Sequence, residues 1–349
     1  MENQPDEFTQ AEIQLAMRNH GAPLEALREP LTPPGLHYLL IHFDIPPGDE
    51  RPLEFRGLFH KPSSLELAEL KRLPSKTLRV TLECAGNGRG QLAPRYPSVP
   101  WLEEGLSTAD WTGVPLKDVL GKAGLQPGAT EIVFHGADRG IDAGVEHHFA
   151  RSLARDQALR EEVLLAYAMN GAPLPPQHGA PLRLVVPRWY GMASVKWLQA
   201  IEALDRPFDG FQQARGYHFR RQSTDQGEPC TLMRVNCAMA PPGIPDFYTR
   251  RRIVDAGTVE ILGRAWSGAA PIARVEFAVD GVWRDAKLEE SAAFCWQRWG
   301  ASWHADPGEH QLMCRATDRA GNVQPLEPPW DVSGFGNNAV QKVSVTVRT

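Results

Sequence analysis

Leu78 to Gly90 reads LRVTLECAGNGRG, an alternating run that ends on one cysteine and a glycine-rich turn. Val80 and Leu82 face one side of such a strand and Thr81 and Glu83 the other, so the chain leaves the sheet at Cys84. Gly86, Gly88 and Gly90 let the backbone close tightly around whatever the sulfur holds. Asn87 tolerates left-handed turn geometry, and Arg89 sets a permanent positive charge near the sulfur, which favours thiolate. The stretch presents a thiol from the end of a strand.

Four readings compete for that thiol. A cysteine after a strand is often just a small buried hydrophobe. A phosphate-binding loop fails, because Pro94, Pro97 and Pro100 follow and forbid the helix it requires. No second cysteine or histidine stands at zinc spacing. What remains is a metal held by one protein thiolate, with something other than protein supplying its further ligands.

The chain has 349 residues and a net charge of -5, enough for two domains with sizeable cores and too balanced for a nucleic-acid or membrane-surface partner. No apolar run reaches transmembrane length, and the opening MENQPDEFTQAEIQ is acidic and polar. The expectation is a cytoplasmic chain without an export signal, a periplasmic location staying open if the chain is truncated. Five cysteines, Cys84, Cys230, Cys237, Cys295 and Cys314, form a sparse, odd set that suits a reducing compartment. A Cys295 to Cys314 bridge is left open.

Along the chain, residues 10 to 19 predict one or two helical turns leading into Arg18-Asn19-His20, and 37 to 41 a short β-run. A short helix over 66 to 73 precedes the cysteine strand. Residues 93 to 111 read as a long irregular loop carrying Trp101. Pro115 opens a helix that Gly121 or Gly124 closes. A strand over 131 to 134 ends in a tight turn at Asp138. His147 and His148 are adjacent on a strand, so they face opposite ways and line the surface rather than share an ion. Strands over 164 to 168 and 182 to 186 bracket a proline-rich turn with His178. His178, Arg183 and Lys196 supply three donors from one region, either a phosphate cradle or scattered surface cations. Beyond residue 230 short alternating runs recur, and Asp280-Gly281 signals a hairpin. These predict a β-sandwich of immunoglobulin type.

Cys84-Ala85-Gly86-Asn87 with Arg89 resembles the cysteine motif of the sulfite oxidase family of molybdenum enzymes. Arg18-Asn19-His20, Glu162 to Gly171, Pro173-Leu174-Pro175, His178-Gly179, Pro181-Leu182-Arg183, Ser194-Val195-Lys196-Trp197 and Gly263-Arg264-Ala265-Trp266 resemble further family motifs in the same order. The resemblance implies an α+β (mixed α/β) molybdopterin domain over residues 1–228 and an all-β immunoglobulin-like dimerisation domain over 229–349. It implies a molybdenum-molybdopterin cofactor, with no haem in this chain. Cys84 is then the metal ligand, and Arg18, Asn19, His20, Asp138, His178, Arg183, Ser194, Val195 and Lys196 hold the pterin. Tyr217, Arg18, Arg89 and Trp101 form the catalytic set, with the arginines meeting an oxyanion and Trp101 shaping the pocket.

The implied reaction is oxidation of sulfite to sulfate, electrons leaving to an external acceptor such as a cytochrome, in a homodimer. One departure weakens the substrate assignment. Where animal members place a further arginine, the segment WDVSGFGNN puts Ser333. A nitrate or S-/N-oxide reductase of the same family is the alternative, and a non-catalytic dimeric binding module a second.

Overall fold

The computed structural model describes residues 8–48, 51–60 and 63–349, so Met1 to Glu7 of the acidic opening lie outside the described residues. The chain forms two compact units. One gathers the residues up to Tyr38 with Gly86–Thr108 and Leu232–Thr349; the other holds Leu39–Ala85 and Ala109–Thr231.

In the second of these, a five-stranded sheet has the order Ser63–Leu65, Leu53–Gly57, Leu198–Leu204, Glu131–Asp142, Val145–Ala154. Leu53–Gly57 runs parallel to Leu198–Leu204, and the other neighbours are antiparallel. A second sheet orders Lys76–Glu83, Leu106–Pro115 and Leu164–Met169, the last pairing both Ala172–Pro173 and Arg183–Val185. Val80, Thr81, Leu82 and Glu83 are all buried, so the cysteine strand is covered on both faces. The helix Leu116–Ala123 buries Leu116, Val119 and Leu120 and stops at Gly124, whose φ of 75° is the left-handed cap a glycine adopts without strain.

Three sequence expectations change. The expected loop over 93 to 111 already becomes a strand at Leu106, because Ser107 and Thr108 are wholly buried and hydrogen-bonded: Tyr38 N donates to Ser107 Oγ at 2.9 Å and Thr108 N to Thr32 Oγ1 at 3.0 Å. The strand expected to stop before Asp138 instead continues as Glu131–Asp142, its pairing slipping between His135 and Arg139. The run 37–41 is not a strand, since the Tyr38 amide goes to a side chain rather than to a neighbouring strand.

The first unit carries a four-stranded sheet ordered Asn236–Met239, Gly257–Trp266, Gln297–Ala305, Lys287–Leu288. Its six-stranded companion is ordered Ile244–Pro245, Arg252–Asp255, Gln341–Arg348, Gly308–Asp318, Ile272–Val279, Val282–Asp285. Apolar side chains of both sheets, among them Cys237, Ile261, Trp299, Phe277, Cys314 and Val345, share one core, the alternating pattern a packed sheet pair requires. Asp280 and Gly281 take φ values of 50° and 82°, as the hairpin signal predicts.

The N-terminal stretch joins this unit through side chain to carbonyl bonds. Arg264 Nε donates to Leu27 O at 2.9 Å, Arg28 to Pro241 O at 2.9 Å and Trp296 Nε1 to Pro30 O at 3.2 Å. The helix Gln10–Arg18 is opened by Thr9 and Glu12 in a reciprocal cap, and buried Glu12 pairs with Arg95.

None of the five cysteines forms a disulfide. Cys314 does not meet Cys295: its Sγ lies 3.5 Å from the carbonyl of Cys237, while Cys295 Sγ approaches Ala292 O at 3.6 Å. Among the described residues no helix is long and apolar enough to cross a membrane.

Candidate active site

Cys84 follows the strand Lys76–Glu83 directly and is 7 % exposed. In the same unit stand Asp138, His178, Arg183, Ser194, Val195, Lys196 and Tyr217. Arg18, Asn19, His20, Arg89 and Trp101 stand in the other unit.

Within the cysteine-bearing unit, one loop system gathers the predicted cofactor residues. Arg183 is buried and spends its guanidinium on main-chain carbonyls, donating to His178 O and Ser194 O, both at 3.0 Å, with its plane 4.6 Å from the Trp111 ring. Ser194 Oγ accepts from Val186 N at 3.0 Å, and Val195 O accepts from Leu184 N at 2.8 Å. Trp197 sits at a φ of 49° with Nε1 donating to Pro176 O at 2.8 Å. These bonds fix the segment around Lys196 against the turn that bears His178.

Lys196 Nζ donates to Leu40 O at 2.7 Å and lies 4.3 Å from the Trp197 ring centre. Burial, reinforced by the nearby positive charge of Arg183, holds its ammonium down at about 7 despite an opposing pull from Asp138. Burial also raises the Asp138 carboxyl to about 6, with Lys196 pulling the other way. Asp138 Oδ1 is buried and has no hydrogen-bond partner in the protein. Gly136 makes room for it, since a Cβ there would stand 2.5 Å from that oxygen. An unmatched carboxylate oxygen beside a desolvated ammonium is costly on protein contacts alone. It fits a ligand that supplies both a donor and negative charge.

Tyr217 is buried and is held by groups that the sequence reading missed. Its hydroxyl makes a 2.7 Å hydrogen bond with His42 Nε2, and the Arg151 guanidinium lies 5.6 Å from its ring. Arg151 is 2 % exposed, donates through one terminal nitrogen to Gln212 O and leaves its buried Nε unmatched. Burial lowers its pKa to about 10. Gln212 belongs to a single π-helical turn, Gln212–Gly216, just before Tyr217, a conformation that recurs at functional sites. His147 stacks on Phe211 at 4.4 Å, so it packs against this turn rather than facing open solvent. No local pattern marks His42 or Arg151. The π-turn, irregular in sequence, carries no signal of its own.

In the other unit, Arg89 is 6 % exposed and closely wrapped. Its Nε donates to Ser333 O at 2.9 Å, and its guanidinium lies 5.1 Å from the Phe335 ring. A Cβ on Gly86 would meet the guanidinium at 2.7 Å, and one on Gly334 would meet Cγ at 2.6 Å. Asn337 Nδ2 donates to Gly88 O at 2.8 Å. The GFGNN segment thus encloses the arginine of the cysteine motif. Trp101 is buried, edge-on to Tyr38, with Nε1 lacking a hydrogen-bond partner. Arg18 ends its helix exposed, Asn19 caps it by donating to Leu15 O at 3.0 Å, and His20 is exposed.

Comparison with known proteins gives two family matches. The oxidoreductase molybdopterin binding domain matches residues 42–212. The Mo-co oxidoreductase dimerisation domain matches residues 229–348. Mitochondrial sulfite oxidase of Mus musculus is 35 % identical over 81 % of this chain and 55 % of its own length. Nitrate reductase [NADH] 1 of Oryza sativa subsp. japonica is 29 % identical over 91 % of this chain and 38 % of its own. The chain spans about half the length of the mammalian relatives it matches. The sulfane dehydrogenase SoxCD of Paracoccus pantotrophus shares the fold, with a TM-score of 0.81 and 24 % identity over 100 % of this chain and 88 % of that one.

Proposed function

We propose that this chain, which belongs to the sulfite oxidase family of molybdopterin-dependent oxidoreductases, oxidises sulfite to sulfate and passes the electrons to an external acceptor. The observation that carries the reading is the buried thiol of Cys84, delivered at the end of a strand covered on both faces. Among the described residues no group of three or more His, Cys, Asp or Glu could hold a metal. In this reading a metal on Cys84 takes its remaining ligands from a dithiolene cofactor. Soft thiolate sulfur suits such a metal.

The residues present fit that cofactor. Cys84 would ligate molybdenum; Asp138 Oδ1, His178 and Lys196, with Ser194 and Val195 beside them, would meet the pterin and its phosphate. Arg183 acts behind them, keeping His178 and Ser194 in place. When bound, the molybdenum cofactor supplies two-electron oxygen-atom chemistry. The protein's part is to orient and to manage charge. Tyr217, with its hydroxyl bonded to His42, would donate a hydrogen bond or exchange a proton at the substrate. Arg18 and Arg89 are assigned the oxyanion, with Trp101 excluding water. The resemblance to nitrate reductase and the serine at 333 keep nitrate reduction as the second reading.

The C-terminal unit's paired sheets are read as an immunoglobulin-like sandwich through which two copies of the chain pair. Purified protein should contain about one molybdenum per chain and should reduce ferricyanide on addition of sulfite. Nitrate consumption by dye-reduced protein without any sulfite-dependent electron release would establish the second reading instead.

A further inference from the structure

Arg151 is a buried cation to which no sequence motif gives a task. It stands in the buried part of the strand Val145–Ala154, between Ala150 and Ser152. One terminal nitrogen donates to Gln212 O in the π-helical turn before Tyr217, and the guanidinium lies 5.6 Å from the Tyr217 ring. Its Nε has no hydrogen-bond partner in the protein, and among the described residues no other buried lysine or arginine nitrogen is left unmatched.

The charge is uncompensated as well. Among the described residues no carboxylate pairs with Arg151; the acidic groups beside it are a phenol, Tyr217, and a thiol, Cys230. Burial brings its pKa down only to about 10, so the guanidinium stays charged at neutral pH. The other cations of this unit differ. Lys196 has the Asp138 carboxyl as a neighbour, and Arg183 donates to two loop carbonyls. His218, the residue after Tyr217, is buried with Nδ1 unmatched, and burial, with Arg220 and Arg151 adding to it, disfavours its protonation.

A buried cation without a counter-charge is costly on protein contacts alone, and an anion seated on it offsets that cost. A planar guanidinium with one nitrogen held by a carbonyl and another unmatched presents a directed, charge-assisted donor, which suits an oxygen of a small oxyanion. Cys84 and Tyr217 belong to the same unit as Arg151.

We propose that Arg151 is a specificity-determining residue of the oxyanion site, its Nε donating to the substrate beside Tyr217 and its charge favouring a dianion over a monoanion. The proposal rests on the oxyanion reading above, for sulfite or for nitrate, and adds a contact that no motif marks. Coulomb attraction to a fixed cation scales with ligand charge, so a doubly charged oxyanion gains about twice what a singly charged one does. Losing a charge-assisted hydrogen bond weakens binding about ten- to a hundredfold, with a dianion near the upper end and a monoanion near the lower.

The test is calorimetric titration of oxidised, molybdenum-loaded protein with sulfate and, separately, with nitrate, comparing wild type, Arg151→Met and Arg139→Gln. Arg139, an exposed cation on the neighbouring strand, controls for net charge. Arg151→Met should weaken sulfate about a hundredfold and nitrate about tenfold at unchanged molybdenum content, while Arg139→Gln binds both as wild type does. Unchanged affinities in Arg151→Met would overturn the proposal. So would an equal loss for both anions, which marks a displaced Tyr217 rather than a missing charge, and so would a wild type that binds neither. A variant short of molybdenum whose loaded fraction binds sulfate normally would put Arg151 on the cofactor and overturn the assignment too. Should Arg151→Met fail to fold, Arg151→Lys decides. One nitrogen cannot serve Gln212 O and the anion from separate positions, so sulfate binding falls about tenfold, and unchanged binding refutes the contact. Failure of the sulfite reading shows separately, as wild type without sulfite-dependent electron release, and leaves the contact standing wherever the variant's anion preference shifts.

Discussion

Replacing Lys196 by methionine separates the cost of the cofactor site from its use. In the cofactor-free fold burial holds the ammonium at about 7 rather than 10.5. At about 1.4 kcal/mol per pH unit this sets a ceiling of about 5 kcal/mol on the penalty of keeping the side chain charged there. Against it stand the bond to Leu40 O and the contact with Trp197, together about 2 to 4 kcal/mol. The net effect of Lys196→Met on empty protein is therefore a stabilisation of about 1 to 3 kcal/mol near neutral pH, or an increase in Tm of a few degrees.

The sign follows from linkage. Between pH 7 and 10.5 the unfolded chain keeps a proton that the folded one releases, so wild-type stability climbs with pH over that window and the variant's does not. Cofactor binding reverses the ranking, because an anion beside Lys196 restores the ammonium and the variant has none to offer. Calorimetry on protein from a host unable to make the cofactor, followed by reconstitution with molybdenum and pterin analysis, reads both effects. A variant that melts lower when empty, yet fills with cofactor normally, would refute the reasoning.

Other expectations follow from the same geometry. Arg183→Ala strands two buried carbonyls and should cost about 3 to 6 kcal/mol, seen as a lower denaturant midpoint, together with cofactor loss exceeding any change in turnover per bound molybdenum. Glu103, raised to about 7 chiefly by burial, holds a proton in the folded state that the unfolded chain releases above about 4.5. Stability should therefore fall as pH rises from about 4.5 to 7, and denaturant midpoints at pH 5 and 8 should differ less in Glu103→Gln. Ser333→Arg leaves intact the backbone bonds from Arg89 and to Asp331 and adds a cation beside Arg89. Sulfite titrations should then show apparent affinity rising about tenfold or more, since one charge-assisted hydrogen bond is worth roughly 1.5 to 3 kcal/mol.

Local chemistry was the legible part of the sequence. The strand before Cys84, the helix closed by Gly124 and the Asp280-Gly281 hairpin each rest on residues within one element, and the structure has them where the pattern puts them. Long-range polar bonds were not legible. Nothing near Arg264 announces that it will bond Leu27 O, and so the N-terminal stretch gave no sign that it clusters with the C-terminal sheets. Ser107 and Thr108 read as loop because their burial is compensated by distant partners. Arg183 read as part of a phosphate cradle, and its bonds to the loop carbonyls of His178 and Ser194 are visible only in the fold. His42 and Arg151 frame Tyr217 from more than sixty residues away along the chain.

The central claim is that Cys84 is the protein's ligand to molybdenum. X-ray absorption at the molybdenum edge on wild type and Cys84→Ser tests it directly. The account predicts one fewer sulfur around the metal in the variant, together with loss of sulfite-dependent electron release. An unchanged sulfur count with full metal occupancy would contradict it.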